Sequence, residues 1–205
     1  MRQAIAVSLM MISFMVLLKT DGGRQRFISA LLILLAAAFH TIAIVGVIPW
    51  ILVVLSNSDK KAFHSFTASK MLKITLLISG IAFVVFPIIM VVAAKLLPPY
   101  YAAYLEGEWS DSNYNASLFN TLIQLAFAIV GVIVFKNKEL NKEQRFAAIM
   151  LSLTIFFEVL SMRMEIWGRI AGFFSIYTDL LWASEVTAEI QSTKIRRILN
   201  TTIVL

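Results

Sequence analysis

The sequence predicts an all-α fold: a polytopic membrane helix bundle, read as one transmembrane domain over residues 1–205. Three observations predict it. Hydrophobic residues make up 60% of the chain and charged residues 15%, with a mean hydropathy of +0.84, far from the balance of a water-soluble domain. Apolar runs of membrane length alternate with short polar segments. The bases sit in those polar segments, where membrane topology places them. For that reason the formal charge of +6 argues against a nucleic-acid partner and for a lipid bilayer.

A hydrocarbon core about 30 Å thick takes about 20 apolar residues per helix. The opening MRQAIAVSLMMISFMVLLK has the early base and apolar run of a signal peptide but no small-x-small cleavage site before Lys19, so Ala4–Leu18 reads as a spanning helix. Gly22 and Gly23 make the turn that follows. Phe27–Leu55 comes next, and as one straight helix it would be about 44 Å long. After the polar loop Ser56–Lys73, Ile74–Leu97 is a span with Pro87 inside, a place for a kink. Pro98–Ser117 is an aromatic, acidic loop without a base. Leu118–Phe135 and Phe146–Leu160 are further spans, separated by the basic turn Lys136–Arg145. The chain ends inside a new apolar run, ILNTTIVL, too short to cross, so the last helix looks incomplete.

Charge arbitrates the ambiguous run. If Phe27–Leu55 enters the membrane and returns, with its arms meeting near His40-Thr41, four basic clusters share one side and hold 14 of the 18 bases. If it crosses once, the split is 11 against 7. The positive-inside rule therefore favours the broken hairpin. Arg2, His40, the aromatic loop, Arg163 and Arg169 then all lie toward the outer face.

The segment from Ser161 to Glu185, SMRMEIWGRIAGFFSIYTDLLWASE, carries Arg163, Glu165, Arg169 and Asp179 in mostly apolar surroundings, and reads as an interfacial or membrane helix around Arg163–Phe174. Ionisable groups at membrane depth face a partner or a wet cavity, and arginine presents a planar fork suited to phosphate or carboxylate. Plainer readings stand beside this one. Glu165 and Arg169 have the spacing of an intrahelical pair, and Gly168 with Gly172 forms a G-x-x-x-G for close helix approach. His40 is either a proton acceptor or a cap on the helix break, and His64 is an interfacial residue. Tyr101, Tyr104 and their aromatic neighbours suit sugar stacking and equally an interfacial belt.

No cysteine is present, which excludes disulfides and thiolate chemistry. Two histidines far apart offer no metal site, and no phosphate loop, dinucleotide fingerprint, H-E-x-x-H or G-x-S-x-G occurs. No cofactor is expected.

Three features in order resemble the C-terminal half of the EpsG/Wzy-type polysaccharide polymerase family. They are Arg2-Gln3 at a helix start, an apolar run ending in Phe39-His40-Thr41, and Arg169 followed by Phe173 and Phe174. Phe173 stands where the family has tyrosine, and Gly168 where tyrosine is common, so neither position offers a hydroxyl. The resemblance spans nearly the whole chain and implies a larger protein, of which the N-terminal half is missing here. It also implies a bacterial inner-membrane enzyme that polymerises polyprenyl diphosphate-linked oligosaccharides into capsule, exopolysaccharide or O-antigen, alongside other synthesis and export proteins. His40 and Arg169 would then be catalytic, as proton acceptor and diphosphate-stabilising cation. Arg2, Gln3, Arg163, Phe173, Phe174, Tyr101 and Tyr104 would bind substrate. A flippase for the same lipid-linked glycan, or a non-catalytic subunit of the synthesis complex, are the competing functions.

Overall fold

The computed structural model describes residues 2–19, 22–56, 67–96, 114–135 and 138–190. Tyr101, Tyr104 and His64 lie outside the described residues, as does the terminal apolar run. Every regular element among the described residues is helical, as the composition requires.

Helices α1 (Arg2–Lys19) and α2 (Gly23–Phe39) form an antiparallel pair. A single hydroxyl fixes their register. Ser13 Oγ donates to the Ser29 carbonyl at 2.7 Å, while Ser29 Oγ donates to the Arg26 carbonyl and accepts from Trp50 Nε1. Trp50 belongs to α3 (Val47–Ser56), which follows a 3-10 turn over Thr41–Gly46. The Trp50–Ser29 bond shows that the chain reverses at His40 and runs back beside α2. The long run is thus the broken hairpin that its charge pattern favours. Gly46 packs closely on α1: a Cβ there would stand 2.8 Å from Met10 Cε, and the methionine tip would have to shift.

Helix α4 (Ala68–Leu96) continues through Pro87 as one element. Helix α5 (Tyr114–Phe135) buries Ser117, Thr121, Gln124, Ala128 and Phe135, a stripe at helical spacing. Helix α6 (Lys142–Ser161) starts at a capping box in which the Asn141 side chain accepts from the Gln144 amide and the Gln144 side chain accepts from the Asn141 amide. Then come α7 (Ile166–Tyr177), a π-helical turn over Thr178–Trp182, and α8 (Ala183–Glu189).

Helix α6 is the centre of the bundle: 67% of its span is buried, against 17% for α4 and 28% for α1 and α5. One core lies on its side toward α1, α2 and α7, with Met10, Phe14, Ile33, Met150 and Phe173. The other lies toward α5 and α8, with Ala128, Phe135, Leu151, Ile155 and Trp182. Outward positions remain apolar, with Leu77 and Val84 on α4 at 64% and 71% exposure. That inversion is what lipid as solvent allows. Among the described residues, α1, α4, α5 and α6 are long and apolar enough to cross a membrane, and the chain is a multi-pass membrane protein.

Chain direction sorts the charges. Of twelve described bases, Lys19, Arg24, Arg26, Lys70, Lys73, Lys138, Lys142 and Arg145 gather at one end of the bundle. Arg2, Lys95, Arg163 and Arg169 lie toward the other end, with His40.

Candidate functional site

The site is built where α2 stops. His40 takes an extended conformation, φ −150° and ψ 108°. Its amide donates to the Ala36 carbonyl at 2.9 Å and its carbonyl accepts from Ala43 at 2.8 Å. The backbone therefore closes both helix ends by itself, and the imidazole makes no capping bond. The capping reading of His40 fails for that reason. Instead the ring packs against Phe173 of α7 at 5.7 Å between centroids, and Nδ1 is buried with no hydrogen-bond partner among the described residues.

An aromatic stack holds α7 in place. Phe174 lies on Phe157 at 5.7 Å, Phe157 on Trp167 at 5.8 Å, and Trp167 meets the edge of Phe86 on α4. One turn further, Tyr177 meets Phe14 at 5.5 Å and Phe146 at 6.0 Å. Phe174 is fully enclosed in this packing and Phe173 nearly so, at 1% exposure, so what Phe173 offers is a wall for the imidazole. The G-x-x-x-G is used at one position. A Cβ on Gly168 would come 3.3 Å from the Ser161 Cβ, whereas Gly172 has open space around it.

Arg169 stands one turn before Phe173 on the same helix. Nη2 donates to Glu165 Oε1 at 3.3 Å, with both side chains about half exposed. A pair this accessible adds little stability and leaves the guanidinium within reach of a ligand. Arg163 goes elsewhere: its Cζ sits 4.1 Å over the Phe83 ring of α4, a cation–π contact. Arg2 and Gln3 are exposed at the start of α1. Ser13 pairs with Ser29, and Arg2 and His40 are each eleven residues from that pair, in opposite chain directions. At 1.5 Å per residue both lie about 16 Å along the hairpin, at the same level. The bundle thus brings His40 against α7, levels Arg2 with it, and turns Arg163 toward α4.

Sequence reasoning passed over Glu158. It is the one acid in the apolar run of α6, 7% exposed, and it accepts from Ser161 Oγ at 3.3 Å and from Asn120 on α5. Its signal was legible, since an isolated carboxylate inside a span always needs a partner, but the partner on α5 was not. Among the described residues no group of three or more His, Asp or Glu is placed to hold a metal.

No curated protein and no solved structure matches the chain. The family model described as EpsG family matches residues 1–205, the whole length. With the polytopic helix bundle and the order of Arg2, His40 and Arg169 along it, the match makes this chain a member of the EpsG family, a polysaccharide polymerase-type family.

Proposed function

We propose that the protein is a polymerase of the bacterial inner membrane that joins lipid-linked oligosaccharide repeat units into a surface polysaccharide. The basic end of the bundle faces the cytosol by the positive-inside rule, so the end bearing His40 and Arg169 faces outward. The donor is a glycan on a polyprenyl diphosphate carrier. A hydroxyl of the acceptor sugar attacks the donor's anomeric carbon as the bond from that carbon to the diphosphate oxygen breaks. The hydroxyl proton passes to an imidazole nitrogen of His40, which acts as the general base. The departing diphosphate gains negative charge, which Arg169, and Arg2 at the same end of the bundle, offset. Such fixed cations typically contribute a few kcal/mol to the barrier.

The observation that carries the reading is the contact between the His40 ring and Phe173, one turn below Arg169. It joins a proton acceptor from the helix break to the helix that bears the cation. Arg169→Lys tests it, since the substitution keeps the charge and loses the fork. The expected result is loss of polymer with protein level intact; polymer of wild-type chain length in that variant removes Arg169 from the mechanism. Deleting the gene separates polymerase from flippase: single lipid-linked repeat units then accumulate outside the cell, whereas loss of a flippase traps them inside.

A further inference from the structure

Two carboxamides one turn apart on α5 each meet a carboxylate. Asn120 reaches Glu158 of α6, and Gln124 reaches Asp179 of the π-helical turn. Gln124 is ten residues from one end of α5 and eleven from the other, so the second pair lies at mid-depth, about 15 Å from either end. Thr178, beside Asp179, meets Thr154 inside α6 at 3.3 Å, which fixes the same level. The pairs differ in their surroundings. Glu158 is enclosed, whereas Asp179 is exposed in line with Leu180 and Leu181 on the outward side of the bundle. No base is placed to neutralise it among the described residues. Helix α5 carries no charged residue. On α6, Glu158 is taken up by Ser161 and Asn120, and Lys142, Glu143 and Arg145 stand at the basic end. On its own run, Arg163 and Arg169 precede it by sixteen and ten residues, Glu185 follows by six, and Glu189 pairs with Lys138. The lysines of α4 stand at that helix's ends.

The hydrogen bonds select a protonation state. A carboxylate only accepts. It can take the Gln124 N–H, but it leaves Gln124 Oε1 without a donor, and that oxygen is buried with no partner among the described residues, in a side chain 7% exposed. A carboxylic acid answers both ends of the carboxamide: its carbonyl accepts from Nε2 and its O–H donates to Oε1. It also carries no charge where a bare carboxylate facing hydrocarbon is costly. We infer that Asp179 is a proton-binding site at the middle of the membrane, its acid form clasped by Gln124 on one side and open to lipid on the other. One carboxyl and one amide oxygen fall short of the roughly six oxygens a hard metal cation takes, so the ligand is the proton. The site is independent of the polymerase reading, since it lies at mid-depth and takes no part in glycosyl transfer.

The test is a lipophilic carbodiimide. A protonated carboxyl adds across its C=N bond to give an O-acylisourea, which rearranges to a stable N-acylurea with no group lost. The protein in its native membranes is treated with dicyclohexylcarbodiimide, and the modified carboxyl is located by peptide mass spectrometry. Asp179 should be modified at neutral pH while the enclosed Glu158 remains unlabelled. Labelling should fall about tenfold for each pH unit above the point at which Asp179 titrates. A water-soluble carbodiimide with an added amine should mark Glu165, half exposed at the outer end, and spare Asp179. Asp179→Asn keeps a donor and an acceptor for Gln124, so it should abolish the label and leave the unfolding midpoint in micelles unchanged. Asp179 unlabelled at neutral pH overturns the proposal, because the carboxylate is then ionised or covered by a partner helix. So does labelling that persists undiminished in alkali, equal labelling by the water-soluble reagent, or a lowered midpoint in Asp179→Asn.

Discussion

Gly131→Ala should cost about 3 kcal/mol although it adds one methyl group. A Cβ at Gly131 would stand 2.0 Å from Trp182 Cζ2 and 2.8 Å from Cε2, and carbon atoms meet without penalty at about 3.5 Å. The indole must therefore retreat by about 1.5 Å. It has nowhere to go: Trp182 is 1% exposed, packs on Phe135 at 5.4 Å, and donates from Nε1 to the Phe127 carbonyl at 3.0 Å. Overpacking of a filled core costs about 1–3 kcal/mol, and losing the indole bond leaves a buried donor unsatisfied for a further 1–3 kcal/mol. Partial relaxation brings the sum to about 3 kcal/mol. The assay is denaturant unfolding in micelles followed by tryptophan fluorescence, run as a double-mutant cycle with Trp182→Phe. A phenyl ring lacks the atoms that clash, so Gly131→Ala in that background should be nearly neutral, giving a coupling of about 2–3 kcal/mol. Equal cost in both backgrounds would mean that the α5–Trp182 contact is not what Gly131 serves.

Glu158→Ala removes the acceptor for Ser161 and Asn120 and should destabilise the bundle by about 1–3 kcal/mol; Glu158→Gln, which keeps an acceptor oxygen, should recover most of that in the same unfolding assay. Asn141→Ala breaks the capping box of α6 and should cost about 1 kcal/mol, read as an earlier unfolding midpoint with unchanged slope. Orientation is checked with single cysteines and an impermeant thiol reagent on intact cells: Gln3→Cys should be labelled from outside and Arg24→Cys only after lysis, and the reverse pattern inverts the bundle.

The spans were legible because lipid imposes length and apolarity on every crossing helix. The broken hairpin was legible through the length of Phe27–Leu55, too great for one straight crossing, and through charge, since neither propensity nor period distinguishes one long helix from two short ones. Helix ends were less so. Lys70, Lys73, Lys142 and Arg145 read as loop bases, yet they belong to α4 and α6, because long basic side chains bury their stems and reach the interface from inside a helix. The capping box at Asn141 and Gln144 could have moved the α6 boundary. The π turn left no such mark. Leu180 and Leu181 are apolar, yet they are exposed at 56% and 37% while Thr178 and Trp182 are buried, an order that i, i+4 spacing on an ordinary α-helix gives equally. Of the site, His40 and Arg169 stood out as polar groups in apolar surroundings. Their neighbours did not, since Phe83 under Arg163 and Phe173 against His40 are 80 and 133 positions away in the chain.

The reversal at His40 also bears on how deep the imidazole lies in the membrane. Both arms are short for spanning segments: α2 has 17 residues, the lower limit for a crossing helix, and the returning piece is Thr41–Leu55. The Trp50–Ser29 bond ties them together in the folded bundle, with the histidine at the apex. The depth of that apex is set by the arms, as the length of a hairpin sets how far its bend reaches. Adding one turn to both arms would raise the imidazole by about 5 Å relative to Arg169 without altering a single neighbour at the base.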